Sequence, residues 1–188
     1  APQPTWEFRL DPREFSYLDD HRFWDSIVFP AAGYAEIGLA LARVLFVEEV
    51  IAVEDLVTKK ALFISEKNVP TVRVVYREED KSFAVYSTTD EGKNWELNSE
   101  GYLRKVDAGV PPAVESVESI RERMEKHANH EQYYEEYRDA GYQFGPNFSQ
   151  VTNIWSRPNE SVAEITVPDE VAQTAADYHF QPAVLDAC

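Results

Sequence analysis

The sequence predicts an α+β fold in which a long buried helix is wrapped by an antiparallel β-sheet, with that order of strands and helix occurring twice. Three observations predict it. The segment AAGYAEIGLALARVLF, residues 31–46, has almost no polar face, as a helix enclosed by protein must. Strand-like stretches separated by turn-rich pieces follow it as a meander. Beyond a Pro-rich stretch the strand pattern resumes with FSQVTNIW and SVAEITVP, joined by the turn SRPNE, and a second apolar run, PAVLDAC, comes behind.

Taken in order, Trp6 to Leu10 alternates apolar and polar residues as a short strand does, and Pro12 and the pair Asp19 and Asp20 break it. HRFWDSIVFP then leads into the buried helix. Strands are expected over Val50–Ile64, Thr71–Arg77, Ser82–Thr88 and Trp95–Val106, with ISEKNVP, REEDK and TTDEGKN as the turns between them. DAGVPPAVES is the low-complexity segment, so the boundary falls there. Residues 1–107 make a first unit, 108–116 a linker and 117–188 a second unit. The charge-rich stretch from Val117 to Ala140 reads as one solvated helix. PAVLDAC reads as the start of a second buried helix with no cap or polar tail behind it. The parent chain is therefore expected to continue by about 80 residues, enough for one helix and several strands.

Charge limits the partners. Against 34 acidic residues stand 18 basic ones, a formal charge of −16 that repels nucleic acid phosphates and anionic lipid surfaces. No apolar run reaches the roughly 20 residues that cross a bilayer, and APQPTWEFRLDPREF lacks the basic start and apolar stretch of a signal peptide. Cys188 alone makes no disulfide framework, and the expected location is cytoplasmic.

Two residues stand out chemically. His21 lies beside aromatic and apolar residues, where desolvation favours the neutral imidazole and so a general base; a hydrogen-bonded core histidine is the plainer alternative. Asp186 is a carboxylate in an apolar run, where burial raises its pKa and lets it donate a proton; a half-exposed helix residue is the alternative. His127 and His130, three apart with Glu131 beside them, offer a metal site only if they share a helix face, and no second ligand pair supports one. Tyr133, Tyr134 and Tyr137 fit packing against a sheet better than an acyl channel.

Three motifs in order carry a family resemblance. HRFWDSIVFP, with AAGY behind it, resembles the HxxxGxxxxP signature and trailing GAGY of polyketide synthase dehydratase domains. GYQFGPNF at 141–148 resembles their GYxYGPxF, and QPAVLDA at 181–187 resembles their HPALLDA. The resemblance covers residues 6–188 and implies a tandem, or double, hot-dog fold with one active site between the halves. In it His21 is the base that takes the α-proton and Asp186 protonates the leaving β-hydroxyl, with backbone N–H groups near Gly33 facing the thioester oxygen. Pro30, Gly33, Tyr142, Phe144, Gly145, Pro146 and Gln181 are the implied substrate-binding residues. The resemblance further implies no cofactor and no metal, a substrate carried on the phosphopantetheine arm of an acyl carrier protein, and that carrier and neighbouring synthase domains as partners; it is compatible with a homodimer.

Four positions depart from the pattern. Asp25 stands at the signature glycine, Ala31 at the first glycine of GAGY, Phe144 at a tyrosine and Gln181 at a histidine. Asp25 is expected to reshape the His21 loop or raise that histidine's pKa. Two other readings stay open: a catalytically silent scaffold or dimerisation domain, and a related double hot-dog isomerase or cyclase.

Overall fold

In the computed structural model, which describes residues 3–47, 50–107, 109 and 113–188, the meander is a five-stranded antiparallel sheet laid against the long helix. The first unit runs β1 (Thr5–Arg9), β2 (His21–Phe23), β3 (Ser26–Val28), α1 (Ala31–Leu45), β4 (Ile51–Thr58), β5 (Phe63–Ile64), β6 (Thr71–Arg77), β7 (Ser82–Thr88) and β8 (Glu96–Lys105). The sheet order is β1-β6-β7-β8-β4. Alternation in β6 sends Val72, Val74 and Tyr76 inward, and Phe83 and Val85 of β7 are fully buried at its centre. Tyr34 and Leu41 of α1 join this core. The helix is apolar but for Glu36 and Arg43 and is enclosed only in part: Val44 is exposed at its C-terminal end.

The expected strand from Val50 to Ile64 is broken. Lys59 and Lys60 both donate backbone N–H groups to the Asn98 carbonyl, which carries the chain out of the ladder after β4. β5 then pairs with β3 instead. The strands β2 and β3, where the sequence showed only a lead-in to the helix, form a hairpin whose two turn residues, Trp24 and Asp25, both have positive φ (44° and 64°).

The second unit runs α2 (Val117–Glu122), β9 (Lys126–Asn129), α3 (His130–Asp139), β10 (Tyr142–Phe144), β11 (Val151–Arg157), β12 (Glu160–Ile165), α4 (Asp169–Thr174) and α5 (Pro182–Asp186). Residues 108 and 110–112 of the expected linker lie outside the described residues. The single helix expected over Val117–Ala140 is a correction. Asn129 caps α3, accepting from the Gln132 N–H at 3.0 Å while its own N–H donates to Gln132 Oε1 at 3.1 Å. A capping residue has extended backbone, so the residues in front of it leave the helix and pair with β11 as β9.

Two sheets were expected, and among the described residues there are three. β12-β11-β9 belongs to the second unit alone. The four-stranded sheet β10-β2-β3-β5 is shared, because β10 comes from beyond the linker and β2 from near the N-terminus. The helix expected from PAVLDAC is the five-residue α5, packed on α1 with Pro182 and Ala183 buried.

Candidate active site

The shared sheet places the first functional side chain. β10 pairs with β2 so that Phe144 lies opposite His21, and their rings are 5.3 Å apart, with Phe148 at 4.8 Å on the imidazole. His21 is 8% exposed, and its Nδ1 lies 2.7 Å from the Val28 carbonyl. A carbonyl only accepts, so Nδ1 carries the hydrogen and, in the neutral ring, Nε2 carries the free lone pair. Nε2 faces Asp186 Oδ2 at 4.0 Å.

Asp186 closes α5, a helix held by its own cap. Gln181 Oε1 accepts from the Ala183 and Val184 N–H groups at 2.6 and 3.2 Å. Burial pushes the Asp186 carboxyl above its usual range, and the nearby His21 opposes that rise only in part. The two side chains thus meet with complementary roles: an imidazole nitrogen free to accept, and a carboxyl that, though still in part exposed, is disposed to stay protonated.

A turn after β10 buttresses the imidazole. Gly145 N–H donates to the Asp20 carbonyl and Asn147 N–H to Asp20 Oδ2, both at 2.9 Å. A Cβ on Gly145 would lie 2.1 Å from Asp20 Oδ1, so glycine is what lets this carboxylate close over the turn in front of His21. Pro146, exposed, occupies the next position, and the Gly145 carbonyl accepts from Phe148 and Ser149.

The other expected substrate-binding residues divide. Pro30, fully buried, is the N-cap of α1. Gly33 clears the Phe29 ring, which would lie 2.4 Å from a Cβ. Its N–H already donates to the Pro30 carbonyl at 3.0 Å, so this group is engaged in the first helical turn rather than left open toward a ligand. Gln181 serves as a helix cap, with Nε2 buried and without a partner. Tyr142, Phe144 and Gly145 line a cavity of about 420 Å³ with Tyr134, Tyr137 and Arg138. His21 and Asp186 do not line it; the Phe144 ring, against His21, is the wall between.

One further reading is corrected, that of Asp25. Asp25 is exposed, and its carboxylate accepts from Gln143 Nε2 at 2.9 Å instead of turning to the imidazole. His127 and His130 do not share a helix: His127 is on β9, bonded to Asn153, and His130 opens α3, bonded to the Val151 carbonyl. No cluster of metal-binding side chains occurs among the described residues. Tyr133 and Tyr134 lie near the site as well as in packing: burial chiefly raises their pKa values, and the Asp186 charge adds to the rise. Sequence reasoning missed Glu36, buried on α1, which accepts from the His179 and Phe180 N–H groups just ahead of Gln181. A carboxylate on an otherwise apolar helix was the available signal.

Comparisons with known proteins point to one family over both units. The family described as "Polyketide synthase dehydratase domain" matches residues 1–88, and "Polyketide synthase dehydratase N-terminal domain" matches residues 112–188. The chain is 30% identical, over 190 residues and 95% of its length, to the phenolphthiocerol synthesis polyketide synthase type I Pks15/1 of Mycobacterium marinum, of which it spans 8%. It is 27% identical to the dehydratase domain from the CurK module of the curacin polyketide synthase, with a TM-score of 0.90, covering all of this chain and 68% of that one. It matches as well, at 27% identity each, two inactive mutants of that CurK dehydratase, one with aspartate replaced by asparagine and one with histidine replaced by phenylalanine. No helix among the described residues is long and apolar enough to cross a membrane.

Proposed function

The chain belongs to the polyketide synthase dehydratase domains, with their double hot-dog fold, and from that premise we propose that it eliminates water from a β-hydroxyacyl thioester carried by an acyl carrier protein. The observation that carries the reading is the 4.0 Å approach of His21 Nε2 to Asp186 Oδ2, from opposite ends of the chain. His21 Nε2 takes the α-proton, the C–H electron pair becomes the α,β double bond, and the β-hydroxyl departs with the Asp186 proton as water. The step leaves an imidazolium beside a carboxylate, and the proton passes back from one to the other before the next substrate.

The Val28 carbonyl supports this role, because it fixes the tautomer that leaves Nε2 open. The inactive CurK forms support it too, since each lacks one histidine or one aspartate of that domain. In this reading Phe144 stands closest to the acyl chain because it touches the imidazole, with Tyr142 and Gly145 beside it, while Pro30, Gly33, Pro146 and Gln181 shape the site through the backbone of α1, the turn after β10 and the cap of α5. The reaction as written uses no cofactor or metal.

The test is the whole dehydratase domain given a β-hydroxyacyl pantetheine thioester, with loss of water followed by mass. His21→Ala is expected to lower the rate by about 10²–10⁴-fold, the usual worth of a positioned base. A His21→Ala protein that dehydrates as fast as the parent refutes the assignment.

A further inference from the structure

We propose that Glu36 is a positioning residue that holds Asp186 at its working distance from His21 by clamping the loop in front of α5; this rests on the dehydratase reading above. Glu36 is 8% exposed on a helix whose other buried residues are Ala32, Gly33, Tyr34, Gly38, Leu41 and Ala42. A carboxylate is out of place there unless its oxygens are satisfied. They are: Oε1 accepts from the His179 N–H and Oε2 from the Phe180 N–H, each at 2.9 Å, and His179 Nδ1 lies 3.2 Å from Oε1.

The clamp leads to the acid through a short covalent path. Gln181 follows Phe180 directly and caps α5, and Asp186 ends α5. Five residues are too few to hold a helix by themselves, so the position of Asp186 depends on what anchors α5 at its start. The same loop touches the segment that leads into His21, since Tyr17 meets Tyr178 edge-on at 6.2 Å. Glu36 therefore ties the acid's helix to α1, and α1 begins shortly after the hairpin that carries the base.

The groups that face Glu36 are His179, Tyr17 and Tyr178. Those that face Asp186 are His21 on β2 and Tyr133 and Tyr134 on α3. Loosening the clamp leaves both sets in place but admits more water to the Asp186 carboxyl, whose side chain is 24% exposed with the clamp closed. Its titration is then expected to move down toward the ordinary carboxylate range.

The experiment uses the whole dehydratase domain and Glu36→Gln, which keeps the shape but offers one acceptor oxygen where two are used. Asp186 is titrated by carbon NMR of labelled aspartate without substrate, and turnover of a β-hydroxyacyl pantetheine thioester is measured across pH. The expected result is a lower Asp186 titration midpoint, a kcat at least about tenfold lower with KM within about threefold, and an alkaline limb shifted to lower pH. Val85→Ala, in the centre of the five-stranded sheet, is the control: it lowers the melting temperature and moves neither the titration nor the limb. Glu36→Gln that melts lower but keeps the parental Asp186 titration and kcat overturns the clamp. A parent that fails to dehydrate the thioester refutes the reaction, while the titration still decides the clamp.

Discussion

His21 is buried against Phe144 and Phe148 and bonded to Val28, so its truncation removes more than a base. His21→Ala leaves the Val28 carbonyl short of a donor and is expected to cost about 1–3 kcal/mol, read as a lower denaturation midpoint. His21 is thus a hydrogen-bonded core residue as well as the proposed base, so activity should be compared well below the melting range. Asp186 behaves in the opposite sense. Its folded-state pKa is raised above the usual 3.8, so below that value the carboxyl is neutral in folded and unfolded chains alike. As pH rises through the folded value, the folded form has to ionise a partly desolvated group and loses stability. Asp186→Asn is therefore expected to melt higher than the parent at pH 7 and level with it near pH 3, while losing activity. Scanning calorimetry at the two pH values checks this, and a variant that melts lower at pH 7 contradicts it. At this scale the motifs made His21 and Asp186 legible because each sits in a long string of matching neighbours. Glu36 showed only as a carboxylate on an otherwise apolar helix, and nothing in the sequence pointed to its partners, two backbone N–H groups and the His179 ring more than a hundred residues away.

The β2–β3 hairpin explains the signature glycine at the level of an element. A two-residue turn with positive φ at both positions suits glycine, and aspartate is among the residues that tolerate it. Asp25 stands there at a small cost in strain and gains a bond to Gln143 on β10. Asp25→Gly is expected to change stability by less than about 1 kcal/mol, relief of strain offsetting the lost bond and the floppier unfolded chain. The acidic limb of the pH–rate profile should stay where it is, since the carboxylate is not turned to the imidazole. A downward shift of that limb would restore the charge effect that the sequence suggested. The long helix and most of the meander could be read from periodicity, which is strongest where one face is buried. The three-residue strands β2, β3 and β10 could not, being too short to show a period and defined by their partners alone. The Asn129 and Gln132 box was readable, yet the surrounding charge suggested one continuous helix.

For the molecule as a whole, the shared sheet makes the two units one object. β10 on β2 and Glu36 on the loop at 179 and 180 are bonds between parts separated by the expected linker. Cutting the chain once, between residues 107 and 117, should leave the two pieces associated through a gel-filtration column in ordinary buffer. Separation without denaturant would show that the units are independent.

The shared sheet also fixes an order in time. A ribosome delivers β2 roughly 120 residues before β10, a gap on the order of 10 s at usual rates of synthesis. Through that interval β2 presents an unpaired edge, and the imidazole of His21 has its tautomer-fixing carbonyl but neither Phe144 beside it nor Asp186 opposite. A newborn first unit therefore carries an open edge that invites pairing with another chain, and the arrival of β10 ends the exposure and completes the wall of the site in one event.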